Sequence, residues 1–218
     1  MNITGAIFDL DGTLLDSMPY WKNAGEIYLS KLGISTKEDL NSLFSTMTLQ
    51  ESSCYLKKRF NLSLSESEIL NIIINTIEEF YENVIPLKEG IVEFLLLLNK
   101  VNIPCVVATA ADKVCALKSL NRLNITSFFD DVITTLDVGI GKTSPEIFYK
   151  SCEILKSLPQ NTIVFEDSFH SLKTAKKAGF ITCGIYDESS EDRQSQIQEM
   201  CDFYFKSWTE IDLNLLGC

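Results

Sequence analysis

The apolar triplet Ala6-Ile7-Phe8 runs without interruption and stops at Asp9, with Gly12 and Thr13 supplying a turn just beyond. Such a run predicts a short strand buried on both faces. The texture then changes. Ser17 can cap a helix that holds Pro19 in its first turn, runs to about Leu32 and stops at Gly33. Thr36 caps a short helix to Phe44, and Thr48 caps another over 49–59. Ser65 with Glu68 makes a capping-box pattern ahead of the helical stripe Ile69, Leu70, Ile72, Ile73, Ile77 and Phe80. No strand pattern appears between Ser17 and Val84, so 17–84 reads as a helical insert, closed by Pro86-Leu87-Lys88-Glu89-Gly90.

From Gly90 onward helix and strand alternate. Helices are expected over 91–100, 112–122, 145–156 (Ser144 as cap, Pro145 at the first helical position) and 172–178, the last ending at Gly179. Strands are expected over 103–108, 131–134, 162–165, 181–185 and 203–205, with 208–216 as a closing turn or helix. Pro104 belongs at the start of its strand rather than in its middle. Repeated βα units of this length predict an α/β fold with a doubly wound parallel sheet. The expected domains are a discontinuous α/β core, 1–16 with 85–218, and a helical cap, 17–84, inserted after the first strand. Two linkers, near Asp16 and Pro86, can then hinge the cap over the ligand edge.

Charge narrows the partners. Thirty acidic against nineteen basic residues leave a net charge of −11, with no Lys/Arg cluster, which argues against nucleic acid or an anionic membrane. It also disfavours phosphates at long range, so an anion site must be built locally from a metal and a lysine. Seven scattered cysteines without a C-x-x-C pair suit free thiols in a reducing cytoplasm. The start of the chain reads as lacking a secretory leader, and the run Phe94-Leu95-Leu96-Leu97-Leu98 is far too short to span a membrane. A cytoplasmic monomer is expected.

Ligands bind at the carboxyl edge of a parallel sheet, so the residue after each strand carries the chemistry. Asp9 and Asp11 follow the first strand, Thr109 the second, Glu166 and Asp167 the fourth, while Lys142 lies in the loop after the third. Taken singly, each has a bland reading: a polar turn, a strand-end cap, a solvated lysine, a helix cap. Taken together, two acids, a hydroxyl, an ammonium and a further acidic pair converge on one edge. Asp9, Asp167 and an oxygen near Asp11 can form part of the oxygen-rich octahedral shell that suits Mg²⁺, and no His or Cys cluster argues for zinc. Asp9 is the best nucleophile candidate, able to attack phosphorus and form an aspartyl-phosphate. Lys142 supplies a second positive charge, and the Thr109 hydroxyl, with Ala110 beside it, can bind a phosphoryl oxygen. Asp11 is placed to protonate the leaving oxygen and later to activate water.

Four segments resemble the motifs of the haloacid dehalogenase superfamily. They are Asp9-Leu10-Asp11-Gly12-Thr13-Leu14-Leu15-Asp16-Ser17, Val107-Ala108-Thr109, Gly141-Lys142 with Ser144-Pro145-Glu146-Ile147-Phe148, and Phe165-Glu166-Asp167-Ser168. The likeness spans 6 to about 185 and is nearest the phosphatase and beta-phosphoglucomutase-like branch with a small helical cap. It implies a Rossmann-like core and Mg²⁺-dependent phosphoryl transfer from a small phosphorylated metabolite through phospho-Asp9. It also implies a metal set of Asp9, the Asp11 backbone carbonyl and Asp167, with Glu166 supporting the metal from behind.

Departures refine that picture. The sugar-phosphate mutase of this branch has a histidine and an arginine in its cap where rough alignment puts Trp21 and Leu49 here. A phosphatase is therefore expected ahead of a mutase, with a non-catalytic ligand-binding member as the remaining alternative. Dehalogenation does not need an acid at Asp11. Cap residues Trp21, Lys22, Met47, Thr48 and Gln50 are candidates for specificity, Trp21 and Met47 foremost, and His170 reads as peripheral.

Overall fold

The computed structural model describes residues 2–36, 40, 44 and 47–216. It divides into two compact units, Met1–Met18 with Pro86–Cys218, and Pro19–Ile85.

The chain enters through strand β1 (Gly5–Phe8) and then builds the insert from α1 (Met18–Lys31), α2 (Leu49–Phe60) and α3 (Glu66–Glu79). Two capping boxes start the latter helices. Thr48 and Glu51 exchange side-chain and backbone bonds at α2, and Ser65 and Glu68 do so at α3, so donors a helix end leaves orphaned are satisfied. Within the insert Tyr20 packs on Phe80, Trp21 on Tyr81, and Lys31 pairs with Glu79. The stripe expected to end at Phe80 continues instead as a π turn, Phe80–Val84, closed by the Ile85 N–H donating to Phe80 O at 2.9 Å. The short helix expected between Thr36 and Phe44 lies largely outside the described residues.

The other unit alternates helix and strand. In order come α4 (Ile91–Lys100), β2 (Cys105–Thr109), α5 (Lys113–Arg122), β3 (Asp131–Thr134), α6 (Thr135–Val138) and α7 (Glu146–Leu155). There follow β4 (Thr162–Glu166), α8 (Phe169–Lys177), β5 (Ile181–Ile185), α9 (Gln194–Met200), β6 (Phe203–Phe205) and α10 (Leu213–Leu216). Among the described residues the six strands form one all-parallel sheet, ordered β3-β2-β1-β4-β5-β6. Successive side chains of a strand face opposite ways. Ile7, Val106 and Val164 accordingly join Ile147, Phe148 and Phe180 in one apolar layer, while Phe8 and Phe165 stack beside Phe94 and Trp208 in another. The winding reverses at β1, which opens a crevice beyond the carboxyl ends of β1 and its neighbours. No helix among the described residues is long and apolar enough to cross a membrane.

The α/β unit also departs locally from the expected pattern. Thr134 and Asp137 cap a helical turn, α6, that the pattern did not announce. Pro145, not Ser144, occupies the N-cap of α7 and no side chain caps it. Helix α8 begins at Phe169, three residues before the expected start, because Ser168 turns the chain immediately after Asp167.

Candidate active site

Register brings the strand ends level. Phe8 lies opposite Val107 on one side and Phe165 on the other, and the Asp9 N–H donates to Phe165 O at 3.0 Å. Asp9 therefore emerges beside Glu166, the last residue of β4, and near the end of β2 at Thr109. Carboxylate oxygens of Asp9, Glu166 and Asp167 come within 4.8 Å of one another, and all three residues are buried.

Lys142 reaches them from the loop after α6. Gly139 ends that helix in the left-handed region, and a turn closed by Ser144 N–H to Gly141 O (3.0 Å) carries Lys142 back over the edge. Its ammonium donates to Asp9 Oδ1 and, at 2.9 Å, to Glu166 Oε2. Glu166 Oε1 accepts the Ser168 N–H at 3.1 Å, so both oxygens of this acid are engaged by the protein. Asp167 Oδ1 accepts the Thr13 hydroxyl at 3.0 Å.

The turn after β1 folds tightly through Gly12 N–H to Leu15 O (2.9 Å) and Leu15 N–H to Leu10 O (2.8 Å), with Asp11 half-buried within it. Gly12 has φ +84°, and a Cβ there would stand 2.6 Å from Asp167 Oδ2. Only glycine permits both the backbone conformation and the approach to that carboxylate.

Three buried acids lie together with one ammonium bonded to two of them, and the electrostatics reflect the deficit. Burial, then the Glu166 charge, pushes the Asp9 carboxyl up to about 7 despite Lys142. Burial, then Glu166, Asp9 and Asp187, raises Asp167 well above the usual carboxylate range. Burial alone would lower Lys142, but Asp9 and Glu166 outweigh it and hold the ammonium above its ordinary value. An all-oxygen donor set short of positive charge fits a hard divalent cation.

Thr109 is buried and its hydroxyl accepts the Ala111 N–H at 2.9 Å, leaving its own proton to donate; Ala110 beside it is exposed. Trp21 and Met47 belong to the Pro19–Ile85 unit. There Trp21, Tyr28, Phe44, Leu49 and Ile73 line an apolar cavity of about 170 Å³, and the Thr48 hydroxyl is committed to its capping box. His170 lines an open groove of about 390 Å³ with Tyr149, Lys173 and Lys177, beside rather than among the carboxylates. That groove is roomier than the cavity of the Pro19–Ile85 unit, whereas the buried carboxylates and Lys142 gather at the strand ends.

Two features escaped the reading of the sequence. The sequence marks Thr13 only as part of a turn, whereas its hydroxyl orients Asp167. Asp187, two residues beyond β5, obeys the same rule of a polar residue following a buried strand. It is buried, its Oδ2 accepts from Lys88 at 2.7 Å, and its Oδ1 accepts from Ser189 N–H at 2.9 Å.

The family described as haloacid dehalogenase-like hydrolase matches residues 6–185. The chain belongs to this family. Among haloacid dehalogenase-like relatives, a phosphorylated carbohydrates phosphatase of Thermotoga maritima is 27% identical over 173 residues, covering 79% of this chain and 80% of the relative. A validoxylamine A 7'-phosphate phosphatase of Streptomyces hygroscopicus subsp. limoneus is 24% identical, covering 94% of each chain. A solved structure of a candidate beta-phosphoglucomutase from Thermotoga maritima superposes with a TM-score of 0.84 at 25% identity, covering 100% of this chain and 99% of that one.

Proposed function

We propose that the chain is a Mg²⁺-dependent phosphatase that hydrolyses a small phosphomonoester through an aspartyl-phosphate on Asp9. The observation that carries this reading is the buried cluster of Asp9, Glu166 and Asp167 at the ends of β1 and β4, with the Lys142 ammonium bonded to the first two. Asp9, Asp167 and the Asp11 backbone would hold Mg²⁺, with Glu166 held back by Lys142 and Ser168. When bound, the cation offsets the repulsion between the carboxylates and an anionic phosphate and favours ionised Asp9.

The chain's own groups do the rest. A carboxylate oxygen of Asp9 attacks phosphorus, the bond from phosphorus to the ester oxygen breaks, and Asp11 protonates the departing alkoxide. Water then attacks the aspartyl-phosphate as Asp11 takes up its proton, which releases inorganic phosphate and restores Asp9. Lys142 and the Thr109 hydroxyl stabilise charge on the transferring group. Names of the relatives support a phosphorylated carbohydrate or similar polyol as substrate. The helical unit Pro19–Ile85 would act as the cap, Trp21 and Met47 contributing to selection. The excess of acid and the scattered thiols support action in the cytoplasm as a monomer.

A mutase must also hold a second phosphate. The cap positions Trp21 and Leu49 line an apolar cavity instead, which favours hydrolysis. Purified protein with Mg²⁺ is expected to release phosphate from an aryl phosphate and from members of a sugar-phosphate panel, and Asp9→Asn to abolish turnover. Full activity in Asp9→Asn would remove the nucleophile, and isomerisation of a sugar 1-phosphate without net phosphate release would make the chain a mutase.

A further inference from the structure

We infer that Trp208 is a positioning residue for the metal-binding carboxylate of Asp167, acting through Thr13; this rests on the metal site proposed above. Trp208 opens a 3₁₀ turn, Trp208–Glu210, far along the chain and beyond the segment matched by the family. It is 2% exposed. An indole N–H can only donate, and a buried one needs an acceptor. Here the acceptor is the backbone carbonyl of Thr13, at 3.1 Å. The hydroxyl of that same residue donates to Asp167 Oδ1 at 3.0 Å. One side chain thus grips the turn that orients a carboxylate of the metal cluster.

The ring performs a parallel task. Its centroid lies 5.8 Å from that of Phe8 and 5.2 Å from that of Phe165, the residues immediately before Asp9 and Glu166. The segment bearing it is held in turn. Ser207 Oγ accepts the Thr209 N–H, Glu210 accepts the Lys206 N–H, and Gly90 comes so close that a Cβ would stand 2.9 Å from the Thr209 nitrogen. Mere filling of the apolar layer needs only the ring, whereas the N–H to Thr13 bond links that layer to the cation site. Removing a partner one layer behind a metal ligand weakens binding by about 10- to 100-fold, and the more distant Trp208 is expected at the lower end, about tenfold.

The test is calorimetric titration of Mg²⁺ into the full-length protein without substrate. Trp208→Phe keeps an aromatic ring and deletes the donor, and is expected to weaken binding about tenfold. Turnover at saturating Mg²⁺ should change much less than the Mg²⁺ concentration needed for half-activity. Thr13→Val should weaken binding at least as much, and the double variant no more than Thr13→Val alone. Unchanged Mg²⁺ affinity in Trp208→Phe overturns the inference, whatever happens to its melting point. Should that variant not fold, the wild-type protein labelled with ¹⁵N decides: Mg²⁺ must shift the Trp208 indole N–H resonance, and an unmoved resonance overturns the inference. A wild-type protein that binds no divalent cation defeats the metal reading itself and this inference with it, an outcome distinct from normal binding that Trp208→Phe leaves intact.

Discussion

Replacing Lys88 by methionine isolates one buried charge. The Lys88 ammonium donates to Asp187 Oδ2 at 2.7 Å and to the Tyr186 carbonyl at 2.9 Å, with side chains 16% and 4% exposed for Lys88 and Asp187. Methionine keeps most of the apolar stem but leaves a buried carboxylate facing the repulsion it shares with Asp167. Breaking a buried pair from one side costs about 3–5 kcal/mol, and the slight exposure of Lys88 lets water return, which favours about 3 kcal/mol. With a urea slope of about 2 kcal/mol per molar, the midpoint should fall by about 1.5 M. Urea unfolding followed by fluorescence in a Trp21→Phe background, where only Trp208 in the α/β unit reports, measures it. Adding Asp187→Asn to Lys88→Met removes the orphaned charge and should recover at least about 1 kcal/mol.

The pH dependence has a definite sign. Burial tends to raise Asp187, but Lys88 and Ser189 outweigh it and hold the carboxyl below its ordinary value. The stabilisation this confers is present above the unfolded-state pKa near 4 and is lost as pH falls through the lower folded-state value. Without Lys88 the carboxyl loses both the bond and the charge that this ammonium supplies, and it moves up from its wild-type value. The deficit of Lys88→Met should therefore be largest at neutral pH and shrink on acidification towards pH 4. A midpoint within about 0.2 M of wild type, or a deficit independent of pH, would refute the reasoning.

Two further outcomes are expected. Gly12→Ala places a Cβ 2.6 Å from Asp167 Oδ2 at φ +84° and should cost about 1–3 kcal/mol while weakening Mg²⁺ binding; wild-type stability and affinity would contradict the close approach. Because Asp9 is raised to about 7 without a cation, the metal-free protein should lose stability as pH rises from about 4 through 7, since the folded state then holds the extra proton. Mg²⁺ at about a hundred times its dissociation constant should add about 2.7 kcal/mol and offset that loss; a melting point indifferent to Mg²⁺ from pH 5 to 8 would count against the cluster as a cation site.

The apolar runs at Ala6-Ile7-Phe8, Val106-Val107-Ala108 and Ile163-Val164-Phe165 were legible because strands buried on both faces leave no choice of residue type. Asp9, Thr109 and Glu166 stood out for the same reason, each ending such a run. Capping boxes at Thr48 and Ser65 were equally visible, being interactions over three residues. Partnerships across the chain were not. Nothing local to Lys88 names Asp187, and nothing local to Trp208 names Thr13, because those pairs exist only once the sheet order and the winding of the crossovers are set. Ser144 misled because Pro145 behind it takes the capping position with its own backbone.

The bond from Asp16 N–H to Pro86 O, 3.0 Å long, shows that the chain leaves the sheet and returns at a single doorway. On the ribosome the first strand must wait for roughly a hundred further residues before its neighbour Cys105–Thr109 exists, about 5–20 s at ordinary synthesis rates. Meanwhile the intervening unit Pro19–Ile85 emerges in full, so both doorposts are already made before the sheet assembles. Evolution could enlarge, trim or exchange that unit at little topological cost, since whatever fills the gap needs only ends that meet.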